Sequence, residues 1–251
     1  MTLRGLLVSA LVLALAGCGG DDEPGAKPRL TVSAAASLKG AFEDYGEDFD
    51  AATARFSFAG SDEVAAQIRQ GVKPDVYAAA NTKLPEQLFS DGLVEKPILF
   101  AGNRLVIAVP ADGEVASLDD LAAAGVDLAV GAESVPVGSY TREVLGRLPA
   151  SQRRAILANV RSEEPDVSGI VGKLVQGAAD AGFVYATDAR AAGSKLKVVE
   201  LPERLRPDVQ YGAAVVKGAE RPEEAREFID GLLTGDGREA MKRAGFLPPT
   251  E

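Results

Sequence analysis

Leu30-Thr31-Val32-Ser33-Ala34-Ala35-Ala36-Ser37-Leu38 begins as a strand, passes through a run of small residues, and ends on a serine. Downstream, Leu38, Phe42, Tyr45 and Phe49 recur at helical spacing, which predicts a helix with one apolar face. The same unit then repeats. Arg55 to Phe58 reads as a strand, Gly60-Ser61 as a turn, and Val64, Ala65 and Ile68 as the inner face of a helix from about Asp62. A third strand over Asp75 to Ala79 leads to a helix over Thr82 to Phe89. Strand and helix alternating at this spacing predict an α/β fold with largely parallel sheets.

The alternation continues to the end of the chain. Strands are expected at Leu105 to Val109, Leu128 to Val130, Gly182 to Tyr185, Lys197 to Leu201 and Tyr211 to Val216. Helices are expected at Leu118 to Ala123, Tyr140 to Leu148, Ser151 to Asn159, Val167 to Gln176, Pro222 to Leu233 and Gly237 to Arg243. With 251 residues the chain can form one large domain or two lobes with cores of their own.

The N-terminus has a different character. Arg4 is followed by an apolar run, Leu6 to Ala16, too short to span a bilayer comfortably, and then by Leu15-Ala16-Gly17-Cys18. That quartet resembles the bacterial lipobox, which implies a signal peptide over 1–17 and lipidation of Cys18. Residues 18–28 then read as the lipidated Cys and a flexible Gly- and Pro-containing tether. Cys18 is the sole cysteine, so no disulfide can form and stability must come from packing.

Charge and absences narrow the chemistry. The net charge of the whole chain is −10, and losing 1–17 removes only Arg4, which leaves −11. Such a surface repels nucleic acid and anionic membranes. It also repels a small anion at long range, so an anion site must work through local dipoles. The chain has no His, which removes Ser-His triads and imidazole metal sites. It has no Walker-type or dinucleotide-type glycine loop. Ser37 and Lys39 lie two apart, a spacing that does not share a helix face. An enzyme is therefore not expected, nor a cofactor or a directly bound metal. A lipoprotein with enzymatic or adhesive activity is the rival class.

Parallel α/β sheets place ligands at the carboxyl ends of strands, where helix N-termini present unpaired N–H groups. Four junctions have suitable residues: Ala34 to Leu38, Phe58 to Ser61, Val135 to Ser139, and Pro165 to Gly169. Tyr185, at a strand end, is a fifth contributor. Taken singly, Ser37 and Ser61 read as helix caps worth about 1 kcal/mol each. Gly138 reads as a turn residue, and Tyr185 as a half-buried strand residue.

Together these segments resemble the periplasmic molybdate-binding proteins. The matching blocks are Thr31 to Leu38, Phe58 to Ser61 with Gln67-Ile68, Pro74 to Tyr77, Gly102 to Val106, Ala129 to Gly131 with Val135 to Gly138, and Gly182 to Tyr185. The resemblance runs from about residue 29 to 248. It implies a two-lobe periplasmic-binding-protein fold of type II, with lobes joined by a hinge that the chain crosses twice. Lobe 1 is expected at 29–103 plus 217–251, and lobe 2 at 104–216.

The resemblance also implies a function. A monomeric lipoprotein, anchored outside the cytoplasm, would deliver molybdate or tungstate to the permease of an ABC importer. Ser37 and Ser61 would donate from the first lobe, and the Val137 and Val167 N–H groups and the Tyr185 phenol from the second. Asp62-Glu63 departs from the small polar residue of many relatives. As first-turn carboxylates both favour the helix dipole. An inward Asp62 would instead favour a protonated anion, so phosphate or sulfate stays open as the alternative ligand.

Overall fold

The computed structural model describes residues 27–250; the expected signal peptide, Cys18 and most of the tether lie outside them. Two five-stranded sheets form the two lobes, as the resemblance implied. The first sheet contains β1 (Arg29–Ala35), β2 (Thr53–Ala59), β3 (Val76–Ala79), β4 (Ile98–Asn103) and β10 (Val209–Val215), in the order β2-β1-β3-β10-β4. The second contains β5 (Leu105–Pro110), β6 (Leu128–Gly131), β7 (Val160–Glu164), β8 (Ala181–Tyr185) and β9 (Leu196–Val199), in the order β7-β6-β8-β5-β9.

The sheets are mixed, which corrects the expectation of largely parallel ones. β2-β1-β3 and β7-β6-β8 run parallel. β10 is antiparallel to β3 and β4, and β5 is antiparallel to β8 and β9. In both sheets the antiparallel strand in fourth place is the one the chain enters on crossing from the other lobe. Parallel triplets need helical crossovers, whereas a strand arriving from outside has no such constraint.

The crossings correct one boundary. The chain leaves the first sheet after Asn103, enters the second at Leu105, and returns between Val199 and Val209. The segment 209–216 was expected in the second lobe, but β10 pairs with β3 and β4 of the first. Every residue of β10 is buried, so apolar density identifies a central strand without saying which sheet accepts it. The crossings are linked by Glu200, which pairs with Arg104 at 2.8 Å and Arg206 at 3.5 Å.

The helices α1 (Lys39–Asp48), α2 (Ser61–Arg69), α3 (Lys83–Ser90), α8 (Pro222–Thr234) and α9 (Asp236–Ala244) cover the first sheet. Leu38, Phe42, Tyr45 and Phe49 are all buried, as their spacing predicted. Phe228 of α8 packs on Phe42, Phe49 and Tyr45 with ring centroids 5.5, 5.3 and 4.6 Å apart. This cluster fixes the C-terminal helices to the start of the fold. Asp75 adds a polar tie: it accepts from the Thr31 N–H and hydroxyl, both at 2.7 Å, and from the Arg221 N–H at 2.8 Å.

The second sheet carries α4 (Pro136–Gly146), α5 (Ala150–Ala158), α6 (Val167–Val175) and the short α7 (Ala186–Ala191). The helix expected over Leu118 to Ala123 is a single 3-10 turn, Asp119–Ala122. Gly138 lies within the first turn of α4, so it is a packing residue as well as turn punctuation. A Cβ there would stand 1.9 Å from the Ala132 carbonyl oxygen.

Candidate functional site

Four strand ends and the helical turns after them converge between the lobes. From the first lobe come the 3-10 turn Ala36–Leu38 after β1 and the start of α2 after β2; from the second come the starts of α4 and α6. They enclose a small cavity of about 20 Å³, far below the roughly 300–1,000 Å³ of pockets for drug-sized ligands. Ser37, Ser61, Val137, Val167 and Tyr185 all line it. No cationic side chain is among the lining residues.

Neither serine is a helix cap. Ser37 lies inside its 3-10 turn, and its hydroxyl is 3.0 Å from the Tyr211 hydroxyl. Ser61 is the first residue of α2, after Gly60 at the cap. Its hydroxyl oxygen accepts the Ala80 N–H at 3.1 Å, and its carbonyl accepts the Tyr77 hydroxyl at 2.8 Å. With its oxygen so engaged, the Ser61 hydroxyl keeps its proton free to donate.

The second lobe contributes backbone. Pro136 opens α4 and has no N–H, so Val137 presents the first amide of that helix. Asp166 caps α6 by accepting the Gly169 N–H at 3.0 Å, which leaves the Val167 N–H outside that bond. First-turn amides have no acceptor within their own helix.

Tyr185 closes the set. It is 1% exposed, and its hydroxyl is buried without a hydrogen-bond partner among the described residues. Burial first, then the nearby Tyr211, Tyr140 and Asp188, push its pKa well above the ordinary phenol value. Tyr185 therefore stays protonated and able to donate. A buried polar group without a partner costs roughly 1–3 kcal/mol, so its presence here marks a position where a partner is needed.

The carboxylate at this cavity is Asp166. Asp62 is a first-turn carboxylate of α2 and is not among the lining residues, so the alternative of an inward Asp62 does not hold. Two further residues carry the site from behind, Asn103 and Tyr211, and sequence reasoning gave neither a role. Asn103 donates to the Thr187 hydroxyl at 2.9 Å and the Tyr211 hydroxyl at 3.3 Å. These contacts are 84 and 108 residues apart in sequence, and no local pattern announces them.

A family model described as bacterial extracellular solute-binding protein matches residues 30–247. The chain belongs to this family. Membership makes it a solute-binding protein that works outside the cytoplasm, and not an enzyme. The molybdate-binding protein ModA of Mycobacterium tuberculosis (strain ATCC 25618 / H37Rv) is 35% identical over 260 residues, covering 98% of this chain and 97% of its own. The periplasmic molybdate-binding protein of Azotobacter vinelandii superposes with a TM-score of 0.77 at 22% identity, over 88% of this chain and 100% of its own. The sulfate-binding protein SubI of Mycobacterium tuberculosis H37Rv also gives a TM-score of 0.77, at 19% identity, over 88% of this chain and 87% of its own. The last two likenesses speak to the fold alone.

Proposed function

We propose that this solute-binding protein captures molybdate, and its close analogue tungstate, between its lobes and delivers it to an ABC importer. The observation that carries the reading is the buried Tyr185 hydroxyl, without a partner among the described residues, at a small cavity whose lining has neutral donors and no cationic side chain. Ser37 and Ser61 donate hydroxyl protons, Val137 and Val167 donate N–H groups, and Tyr185 donates its phenol. Fixed dipoles in a site shielded from water hold an anion without a counter-charge, because they need no reorganisation when it arrives. This suits a chain of net charge −10. The 35% identity to a molybdate-binding protein over nearly the whole chain supports the choice of anion.

Capture on this reading is a hinge closure about the two crossings, with the anion bridging donors of both lobes. The protein works as a monomer, held at the membrane by a lipid on Cys18. Cells expressing Cys18→Ser should release the protein into the soluble fraction; retention in the membrane fraction would overturn the anchor.

Phosphate is the second reading, because Asp166 lines the cavity and a carboxylate can accept the proton of hydrogen phosphate. Native mass spectrometry of the purified protein, mixed with equal amounts of molybdate, sulfate and phosphate, separates the two. A one-to-one molybdate adduct is expected, and a phosphate adduct in its place would overturn the assignment.

A further inference from the structure

We infer that Tyr211, held in place by Asn103, is a positioning residue for anion capture: it occupies the oxygen of Ser37 and so turns the Ser37 proton toward the cavity. This rests on the reading of the interlobe cavity as an oxyanion site and adds the device that sets the direction of one donor.

The far end of the relay is set by a group whose polarity is unambiguous. The Arg104 N–H can only donate, and it donates to the Asn103 side-chain oxygen at 2.8 Å. That contact fixes which end of the Asn103 amide is nitrogen. The nitrogen then points at Thr187 and at the Tyr211 hydroxyl, 3.3 Å away. The Tyr211 oxygen accepts from Asn103, and its 3.0 Å contact with the Ser37 oxygen lets either hydroxyl donate. We assign Tyr211 as the donor, because the Ser37 oxygen is the acceptor within reach of its proton. Ser37 in turn has its oxygen filled and its proton free at the cavity wall. The order of donation is Arg104, Asn103, Tyr211, Ser37, anion.

Packing fixes the position of the Tyr211 oxygen. Tyr211 is fully buried. Its ring is held edge-on by Phe246, Tyr185 and Phe100, with centroids 5.3, 5.8 and 6.1 Å away. Burial raises its pKa well above the ordinary phenol value, so the proton it passes to Ser37 is present across the working pH range. The Ser61 oxygen is filled in the same way by the Ala80 N–H. Without Tyr211, a free Ser37 hydroxyl has three staggered positions, and only some of them face the anion.

The relay sits where the lobes join. Asn103 ends β4 at the first crossing, Tyr211 lies in β10 just after the second, and Thr187 belongs to α7 of the other lobe. The donor direction at Ser37 is therefore set by groups from both lobes.

A double-mutant cycle on the purified full chain tests this, with molybdate as the titrant. Tyr211→Phe keeps the ring and should weaken binding about tenfold in the otherwise unchanged protein, the scale of one hydrogen bond. In a Ser37→Ala background it should cause no further loss, because the oxygen it acts on is gone. An equal loss in both backgrounds, or no loss in either, would overturn the relay. A merely structural role for Tyr211 would lower affinity regardless of Ser37. If Tyr211→Phe does not unfold cooperatively, Asn103→Ala replaces it, with the same dependence on Ser37 expected. If the unchanged protein binds sulfate or phosphate and not molybdate, the molybdate reading fails alone, and the cycle is decided with that anion. If it binds none of the three, both fall.

Discussion

Ser61 and Tyr185 face one cavity but hold their hydroxyls in opposite states. The Ser61 oxygen already accepts the Ala80 N–H, whereas the Tyr185 hydroxyl has no partner among the described residues. Removing them should therefore separate stability from binding. Ser61→Ala strands a buried amide, which costs about 1–3 kcal/mol, and the melting temperature of the ligand-free protein should fall by several degrees. Tyr185→Phe removes a group that lacked a partner, so its melting temperature should not fall. Both variants should bind molybdate at least about tenfold more weakly. A Tyr185→Phe protein that melts early, or binds normally, would contradict the role given to the phenol. Only part of this was legible in the sequence. Serines at strand-to-helix turns pointed to the right place but suggested helix caps. The partner of Ser61 is nineteen residues away and that of Ser37 is 174, so neither could be read locally. Asp62 drew notice because it follows Ser61, yet the carboxylate at the cavity is Asp166, brought in by the second lobe.

At the scale of elements, Gly60 lies where the two lobes meet at the cavity. Its φ of −60° and ψ of 137° suit any L-residue, so no local strain requires glycine. A Cβ there would stand 2.6 Å from the carbonyl oxygen of Pro165, in the loop before α6 of the other lobe, and 2.9 Å from a carboxylate oxygen of Asp62 in its own lobe, a flexible side-chain end that can turn aside. Gly60→Ala should accordingly leave the melting temperature of the ligand-free protein unchanged while weakening anion binding by about tenfold or more, since the lobes can no longer seat. Gly138→Ala makes the contrast, because its clash with Ala132 lies within one lobe and should lower stability itself. Measuring melting and affinity for both variants checks the distinction, and a destabilised Gly60→Ala would undo it. The amphipathic helices were readable because their apolar faces pack on one sheet each. β7 was not: Val160-Arg161-Ser162-Glu163-Glu164 is an edge strand with charged, partly exposed residues and no apolar run. The sheet that takes β10 was equally hidden, since seven buried residues fit either core.

For the whole molecule, pH and ligand are the informative variables. Asp188 is half-buried beside the site, with one carboxylate oxygen buried and without a partner among the described residues, and it lies close enough to Tyr185, Tyr211 and Asp166 to interact with them electrostatically. Burial is the largest cause raising its pKa from 3.8 to about 7, opposed by backbone N–H donors and aided by the Asp166 charge. A raised carboxyl pKa means the folded state binds the proton more tightly. Its stabilising contribution is full below about pH 4 and is lost as pH rises through about 7. The melting temperature should therefore drop between about pH 5.5 and about pH 8, and Asp188→Asn should remove most of that drop. An equal drop in the variant would assign the pH dependence to other groups. The account as a whole turns on the ligand. Isothermal titration of the purified protein with molybdate, tungstate, sulfate and phosphate is its most direct test. Saturable one-to-one binding of molybdate and tungstate, with sulfate and phosphate far weaker, is the predicted result; no heat with molybdate, or tighter binding of sulfate or phosphate, would contradict it.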